Sequence, residues 1–382
     1  MKIAFYSPIK PIDHFIPSGD RLIARHLCQY LRGKGHDIFI LSRFRTLFLH
    51  QRIVRYIFFW WPLHFIGSLI NVLKERPDLF FSYHVTGETP DLLAPFLCRL
   101  VGVPYYIFTG DYSVTHRDNL KTRLGYYLAR HALHGARHIF ANTVENYTSL
   151  VEKLGRDKVT YIKPAVFLSD FKDYSPANIR DRYHIKENIP VISSAAMCRP
   201  GRKADSIRFL IDCLAQLKSE GINFRWIHTG ARGEYPELKK LAEEKLGNIA
   251  IMPGTMPEEE VHALMMASDI FAFPGINETI GMVYLEAQFY KTPVVAFQNG
   301  GIAEVVKQNK TGILVPPMDQ SAFVKALSML INNPSIRTEM GNQAFLLISE
   351  DHDINKNYNK IIEIIHGNTR KDSSNNAREY VE

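Results

Sequence analysis

The chain has 382 residues, 46% of them hydrophobic and 22% charged, and a formal net charge of +7. That length fits two domains of ordinary size, and the composition excludes a disordered or fibrous chain. The positive balance favours anionic partners such as sugar phosphates or anionic lipid. Four cysteines (Cys28, Cys98, Cys198 and Cys213) lack metal-ligand spacing and read as buried thiols of a reducing compartment.

In chain order, MKIAFYSP reads as a buried first strand over Lys2–Tyr6 and not as a signal peptide. The three N-x-T sequons, at Asn146, Asn277 and Asn309, therefore read as chance. The loop Pro17-Ser18-Gly19-Asp20 follows, then a helix with Leu22, Ile23, Leu27 and Leu31, a turn at Gly33–Gly35, and a second strand at Asp37–Leu41. Strand, glycine loop, helix and strand begin a doubly wound sheet. G-x-G-x-x-G is absent, so no dinucleotide fingerprint is present.

Residues 43–76 place Arg43, Arg45, Arg52 and Arg55 ahead of an aromatic centre that includes Phe58, Phe59, Trp60 and Trp61. The uncharged run Tyr56–Val72 is 17 residues, short for a membrane span and interrupted by Pro62. A basic, aromatic, amphipathic segment is expected to lie in the interface of an anionic membrane. Beyond it come a strand at Pro77–Tyr83, a helix at Asp91–Leu100, and a strand at Tyr105–Thr109 that ends in Gly110-Asp111. His131, His134 and His138 fall on one face of an expected helix near Ala129–His138, which reads as a weakly basic face rather than a metal site. Strands at Ile139–Asn142 and Val159–Lys163 close the first half, and the polar stretch Lys172–Asn188 reads as a linker.

The second half opens with a strand at Val191–Ala196, then Arg199, Arg202 and Lys203 ahead of a helix over Asp205–Glu220. Cations at a strand end and helix start suit a diphosphate, because they add to the positive pole of the helix. Further on, PGINETIGMVYLEAQFYKTPVVAFQNGGIAE runs from Pro274 to Glu304. It reads as a loop with Glu278, a helix after Gly281 carrying Glu286, a strand at Thr292–Phe297 and a Gly300-Gly301 turn. Two carboxylates flanking a helix N-terminus point to a phosphorylated, hydroxyl-rich ligand. Asp351-His352-Asp353 is a D-x-D read as capping or solvent-exposed.

Asp269, Pro274, Glu278, Gly281, Glu286-Ala287, Pro293-Val294-Val295, Gly300-Gly301, Glu304, Gly312 and Val315-Pro316 stand in one fixed order. This pattern resembles glycosyltransferase family four (glycosyl transferases group 1), retaining enzymes of the GT-B fold. The resemblance implies an α/β chain of two Rossmann-like doubly wound domains facing a central cleft. It implies that Glu286 holds the nucleotide ribose, Glu278 faces the donor sugar, and the Thr279, Ile280 and Gly281 backbone meets sugar and phosphate. Arg199 and Lys203 would stabilise the leaving diphosphate, with Arg202 sharing that role. Gly19 would approach the donor phosphates, and Thr255 would border the nucleobase. Many relatives carry histidine where Gly110 falls, and Asp111 is the nearest polar substitute, a contact for sugar or acceptor or else a turn residue. Ile280 stands for a frequent Phe, Gly275 for a frequent Ser, and Ala204 for the usual Gly.

The expected division is an acceptor-binding domain over 1–172, a linker over 173–188, a donor-binding domain over 189–350, helices over 351–367 that cross back to the first domain, and a disordered tail over 368–382. The expected activity is retaining transfer from a nucleotide-diphosphate sugar to a glycan or glycolipid acceptor, in the cytoplasm at the inner face of the plasma membrane. No cofactor, metal or nucleic acid is expected. A nucleotide-sugar epimerase of the same fold, a glycogen- or starch-type transferase, and a non-catalytic sugar-nucleotide binder are the alternatives.

Overall fold

The computed structural model describes residues 1–14, 18–47, 54–113, 117–120 and 122–368. Of the expected features, Pro17, Arg52 and the tail beyond 368 lie outside the described residues, as do the side chains of Arg55 and Phe58. The chain forms two compact units, Met1–Lys163 with the segment from Ile354 onward, and Pro164–Asp353. The division thus falls at Lys163 and Pro164 rather than near residue 172. Within the expected linker, Pro176–Arg182 is helical, and Arg180 Nη2 donates to Asp269 Oδ2 at 3.0 Å. That bond ties the stretch into the second unit.

The first unit is built on β1 (Lys2–Tyr6), β2 (Asp37–Ser42), β3 (Leu79–Val85), β4 (Tyr105–Gly110), β5 (His138–Ala141) and β6 (Val159–Tyr161). All pair in parallel, in the order β2-β1-β3-β4-β5-β6. The second unit repeats the plan with β7 (Val191–Ala195), β8 (Arg225–Thr229), β9 (Ala250–Gly254), β10 (Ile270–Ala272), β11 (Val294–Phe297) and β12 (Gly312–Val315). Its order is β12-β11-β10-β7-β8-β9. Helices cover both faces of a parallel sheet, so its strands read as nearly continuous apolar runs. Residues 105–110 and 294–297 are buried throughout. Each sheet reverses its winding once, between β1 and β3 and between β7 and β10. Ligands of open α/β sheets sit outside the carboxyl ends of the strands at such points.

Several local expectations are corrected. The helix near the histidines spans Arg123–Gly135, so His138 opens β5 and bonds Thr160 Oγ1 through Nε2 at 2.9 Å. His131 instead stacks on Phe96 and His134 lies 3.2 Å from the Tyr112 hydroxyl. The helix expected from Asp91 starts at Ala94, because Asp91 Oδ1 accepts from Leu93 N and Ala94 N, both at 2.9 Å. Asp351 ends the helix Pro334–Asp351, while Asp353 pairs with Val166. Among the described residues no group of His, Cys, Asp or Glu side chains could hold a metal ion. All four cysteines are free and buried.

The segment at 43–76 contains the helix Val54–Glu75, with Pro62 inside it. One seam, Trp61, Phe65, Ser68 and Val72, faces the core, and Trp61 Nε1 donates to Leu92 O at 3.1 Å. The opposite seam, Phe59, Leu63, Ile66, Ile70 and Leu73, is exposed, from 54% at Ile66 to 81% at Phe59. Spacings of four and three residues keep those five side chains on one face. Arg43 is held by Asp13, and Arg45 donates to Ile9 O at 3.0 Å, so the fold engages both. No described helix is long and apolar enough to cross a membrane.

A close approach fixes the loop after β3. A Cβ on Gly125 would meet Gly87 O at 2.0 Å, so the helix Arg123–Gly135 seats against that carbonyl through a missing side chain. Gly125→Ala is expected to destabilise the protein by about 1–3 kcal/mol, the usual cost of overpacking. Chemical denaturation checks this, and an unchanged midpoint would refute the contact.

Candidate functional site

The site grows from the loops after β7 and β10, neighbours at the reversal of the second sheet. The chain leaves β7 through Met197–Gly201 and starts the helix Arg202–Ser219. From β10 it runs through Pro274–Thr279 to Gly281 and the helix Met282–Phe289. Three side chains of the first helix's opening turns hold the second loop. Arg202 Nη1 donates to Asn277 O at 3.3 Å, Lys203 Nζ forms an ion pair with Glu278 Oε2, and Ser206 Oγ accepts from Ile276 N at 3.0 Å. Lys203 Nζ also lies 5.0 Å over the Phe273 ring. Sequence reasoning found Arg202, Lys203 and Glu278 but missed Ser206, which carries no motif signal.

The loop is tightly coiled. Gly275, Asn277 and Gly281 have φ of 70°, 49° and 74°. Glycine takes such values freely, and asparagine is the side chain that tolerates them best. Space demands the glycines as well, since a Cβ would meet the Tyr284 hydroxyl at 2.3 Å from Gly275 and the Tyr284 ring at 2.3 Å from Gly281. Tyr284, also missed in the sequence, is fully buried and donates to Phe273 O at 3.0 Å. The Gly-Gly turn packs on the same backbone: Gly301 N donates to Thr279 O at 2.7 Å, and a Cβ on Gly300 would meet Glu278 O at 2.1 Å. Thr279 is exposed, while the Ile280 side chain is 4% exposed and belongs to the core. Only the Ile280 backbone is therefore placed for a ligand. No side chain caps the helix Met282–Phe289, which leaves its first N–H groups for an anion.

A buried chain of hydrogen bonds steadies the loop that carries Arg199. Trp226 Nε1 donates to Ser194 Oγ at 2.9 Å, and Ser194 lies 2.9 Å from His228 Nδ1. Nε2 lies 3.5 Å from Cys198 Sγ, whose thiol donates to Gly230 O at 3.2 Å. Burial holds His228 neutral, pushing its value down to about 4, and pushes Cys198 up to about 11. Glu234 N donates to Cys198 O at 2.9 Å, and Arg199 follows Cys198 directly. Thr255, just past β9, accepts from Ala231 N at 3.2 Å.

Glu286 stands apart. It is partly exposed, yet its carboxylate accepts no hydrogen bond from any described residue. The protein packed around it strips enough water, with the Glu258 charge adding to that, to push its value up to about 7.

Nine of the sequence-derived residues therefore share the carboxyl edge of the second sheet: Arg199, Arg202, Lys203, Thr255, Glu278, Thr279, Ile280, Gly281 and Glu286. The remaining two belong to the first unit. Gly19 begins the helix Gly19–Gly33, which Ser18 caps by accepting from Arg21 N at 3.3 Å. Asp111 follows β4, where Oδ1 accepts from Ser113 N at 2.8 Å and its amide donates to Val85 O at 3.0 Å. The turn role is thus filled. At Gly110 a Cβ would meet Leu133 Cδ2 at 2.7 Å, so a histidine there would collide with the core of this chain.

Comparison with known proteins agrees with this plan. Residues 201–347 match the family model described as glycosyl transferases group 1. The alpha-D-kanosaminyltransferase of Streptomyces kanamyceticus is 23% identical over 73% of this chain and 76% of its own. Sucrose-phosphate synthase from Thermosynechococcus elongatus superposes over 98% of this chain and 99% of its own, with a TM-score of 0.75 and 16% identity. Anabaena HepE in complex with UDP does so over 96% and 100%, with a TM-score of 0.73 and 20% identity. The fold is GT-B, as the sequence resemblance implied.

The raised value of Glu286 has a testable sign. A folded-state value of about 7 against an ordinary 4.5 means that the fold holds the proton more tightly than the unfolded chain. Stability therefore falls as pH rises from the ordinary value to about 7 and levels off above it. At pH 8, without ligand, Glu286→Gln should exceed wild type by about 1–3 kcal/mol, the linkage value reduced for partial exposure. The gap should close near pH 4. Thermal melts across that range check it, and a gap independent of pH would refute the burial argument.

Proposed function

We propose that this chain, a member of the glycosyl transferases group 1 family, moves a sugar from a nucleotide-diphosphate sugar to a glycan or glycolipid acceptor with retention at the anomeric carbon. The observation that carries the donor reading is Lys203 and Glu278 paired beside an uncapped helix N-terminus, at the reversal of the second sheet. A diphosphate takes up cations and free N–H groups, so it would draw Lys203 from Glu278 and leave that carboxylate to the donor sugar. Arg199, with Arg202 beside it, adds positive charge where the leaving diphosphate gathers negative charge. Glu286, an acceptor with no hydrogen-bond donor of its own, fits the two vicinal hydroxyls of a ribose. Thr255 borders the base, and the Thr279–Gly281 backbone meets sugar and phosphate. In the first unit, Gly19 approaches the phosphates and Asp111 serves sugar or acceptor. HepE, which binds UDP, supports a nucleotide donor. Retention rests on the family resemblance, as does a reaction without metal or cofactor.

The acceptor reading rests on the exposed seam Phe59, Leu63, Ile66, Ile70 and Leu73. A helix apolar on both faces is ordinarily buried on both. Phe96 and Leu100, on the helix Ala94–Val101, add further exposed apolar surface, and the net charge is +7. Together these fit peripheral contact with an anionic membrane, where a lipid-linked or lipopolysaccharide-type acceptor resides. The corresponding location is the cytoplasmic face of the plasma membrane.

Thermal shift against a panel of nucleotide sugars should show stabilisation by at least one. Glu286→Gln should weaken that ligand by about 1.5–3 kcal/mol, the range for hydrogen bonds to a charged group. Arg199→Ala and Lys203→Ala should each cut turnover about 10²-fold, and chelator should leave it intact. A panel without any stabilising member would defeat the donor reading.

Sedimentation with phosphatidylglycerol vesicles should carry the protein down, with far less on phosphatidylcholine. Leu63→Ser with Ile70→Ser should release it while the melting curve stays put, since both side chains are exposed. Wild type that ignores anionic vesicles would make a soluble acceptor the better reading.

A further inference from the structure

Of the asparagines in the chain, Asn299 alone is followed by glycine. It opens the Gly-Gly turn after β11, where Asn299 N donates to Phe297 O at 3.0 Å and Gly301 N donates to Thr279 O at 2.7 Å. Between those two anchors the polar atoms are loose. Asn299 Oδ1 has no hydrogen-bond partner, and no described residue accepts from the Gly300 amide. An asparagine in a turn ordinarily bonds the backbone nearby, which fixes its side chain. Here no such bond holds Oδ1. Gly300 has no Cβ to shield its nitrogen, and its φ of 51° is left-handed. The turn demands that glycine, since a Cβ would meet Glu278 O at 2.1 Å. Asn299 is half-buried and Gly300 exposed, so the turn meets water.

We propose that Asn299 is a site of spontaneous deamidation, which puts a new carboxylate in the turn seated on the Glu278–Thr279 backbone. Asparagine is chemically labile, and most so where the next nitrogen is unshielded. The Gly300 nitrogen gives its proton to hydroxide and attacks Asn299 Cγ. A C–N bond forms, the Cγ–Nδ2 bond breaks, and Nδ2 takes a proton from water and leaves as ammonia, which returns the hydroxide. Water then opens the cyclic imide at either carbonyl. One opening leaves aspartate, and the other routes the main chain through Cβ and leaves isoaspartate. Water is the sole co-reactant. Both products add a negative charge to the turn, and the isoaspartyl form also lengthens the main chain between the anchors at Phe297 O and Thr279 O. A charge there opposes a diphosphate; that consequence rests on the donor reading above, and the modification does not.

Holding the full chain at pH 8 and 37 °C and mapping its peptides by mass spectrometry tests this, with electron-transfer fragmentation to tell aspartate from isoaspartate. Asn299 should convert ahead of every other asparagine and give both products. A synthetic peptide of residues 291–304, run alongside, supplies the rate without the fold. A folded chain whose Asn299 stays intact while the peptide converts overturns the proposal, and so does a chain in which other asparagines convert first. Asn299→Asp, with its Tm measured, reports the consequence for the donor edge. By calorimetry it should bind UDP-glucose about tenfold more weakly than wild type, as a like charge near a diphosphate would require. Asn299→Gln, which keeps the amide, should bind like wild type. Equal binding by wild type and Asn299→Asp would overturn that consequence. A wild type that ignores UDP-glucose while Asn299 still converts would instead strike the donor reading and leave the modification standing.

Discussion

The second unit depends on the clasp between the first two turns of one helix and the loop that feeds another. Lys203 on Glu278 is its charged member, and Arg202 on Asn277 O and Ser206 on Ile276 N complete it. The two loops belong to neighbouring strands far apart in sequence, so closure costs chain entropy that single weak bonds would not offset. Three bonds from one rigid helical segment share that cost. The ion pair alone would be a poor anchor, because Lys203 keeps 38% of its side chain exposed and water screens it. The neutral Ser206 contact and the left-handed glycines hold the loop in shape; the charges decide what it attracts.

That division of labour explains what the sequence disclosed. Cations after β7 and carboxylates around Gly281 were legible because charged residue types beside a strand end and a glycine stand out in the sequence. The doubly wound plan was legible because strands buried on both faces leave unbroken apolar runs. Ser206 and Tyr284 were not legible. A serine in a first turn looks like any other, and Tyr284 fills a hole whose walls, Gly275 and Gly281, meet only in three dimensions. The Ile280 side chain is buried in the core, so only its backbone is open to the contact that the resemblance implies.

Other readings failed because a local pattern met a tertiary rule. Three histidines at helical spacing were split by the end of the helix at Gly135, and His138 went into β5. Asp91 was counted inside its helix, but its carboxylate caps from outside and also accepts from Ser82 and Tyr105. Burial pushes that carboxyl up despite these bonds. Of the arginines ahead of the aromatic stretch, Arg43 stays on the surface in its pair with Asp13, and Arg45 donates to Ile9 O at 3.0 Å. What the composition of that stretch did convey was excess: more apolar surface than one helix face can bury.

The two sheet edges differ in a way that bears on how they work. In the second unit most polar groups near the carboxyl edge already have partners, so on the donor reading proposed above a donor would exchange one set of bonds for another. Exchange makes affinity small per contact and selectivity large, because a ligand lacking either the diphosphate or the hydroxyls leaves groups stranded. Glu286 is the exception, and its proton is the partner it takes up near neutral pH when no hydroxyl is present. In the first unit His84 Nδ1 and Thr109 Oγ1 have no partner to exchange. Both atoms are closed to solvent, so the first edge carries its cost inside the fold, whereas on the proposed donor reading the second edge would select by competition for bonds already made.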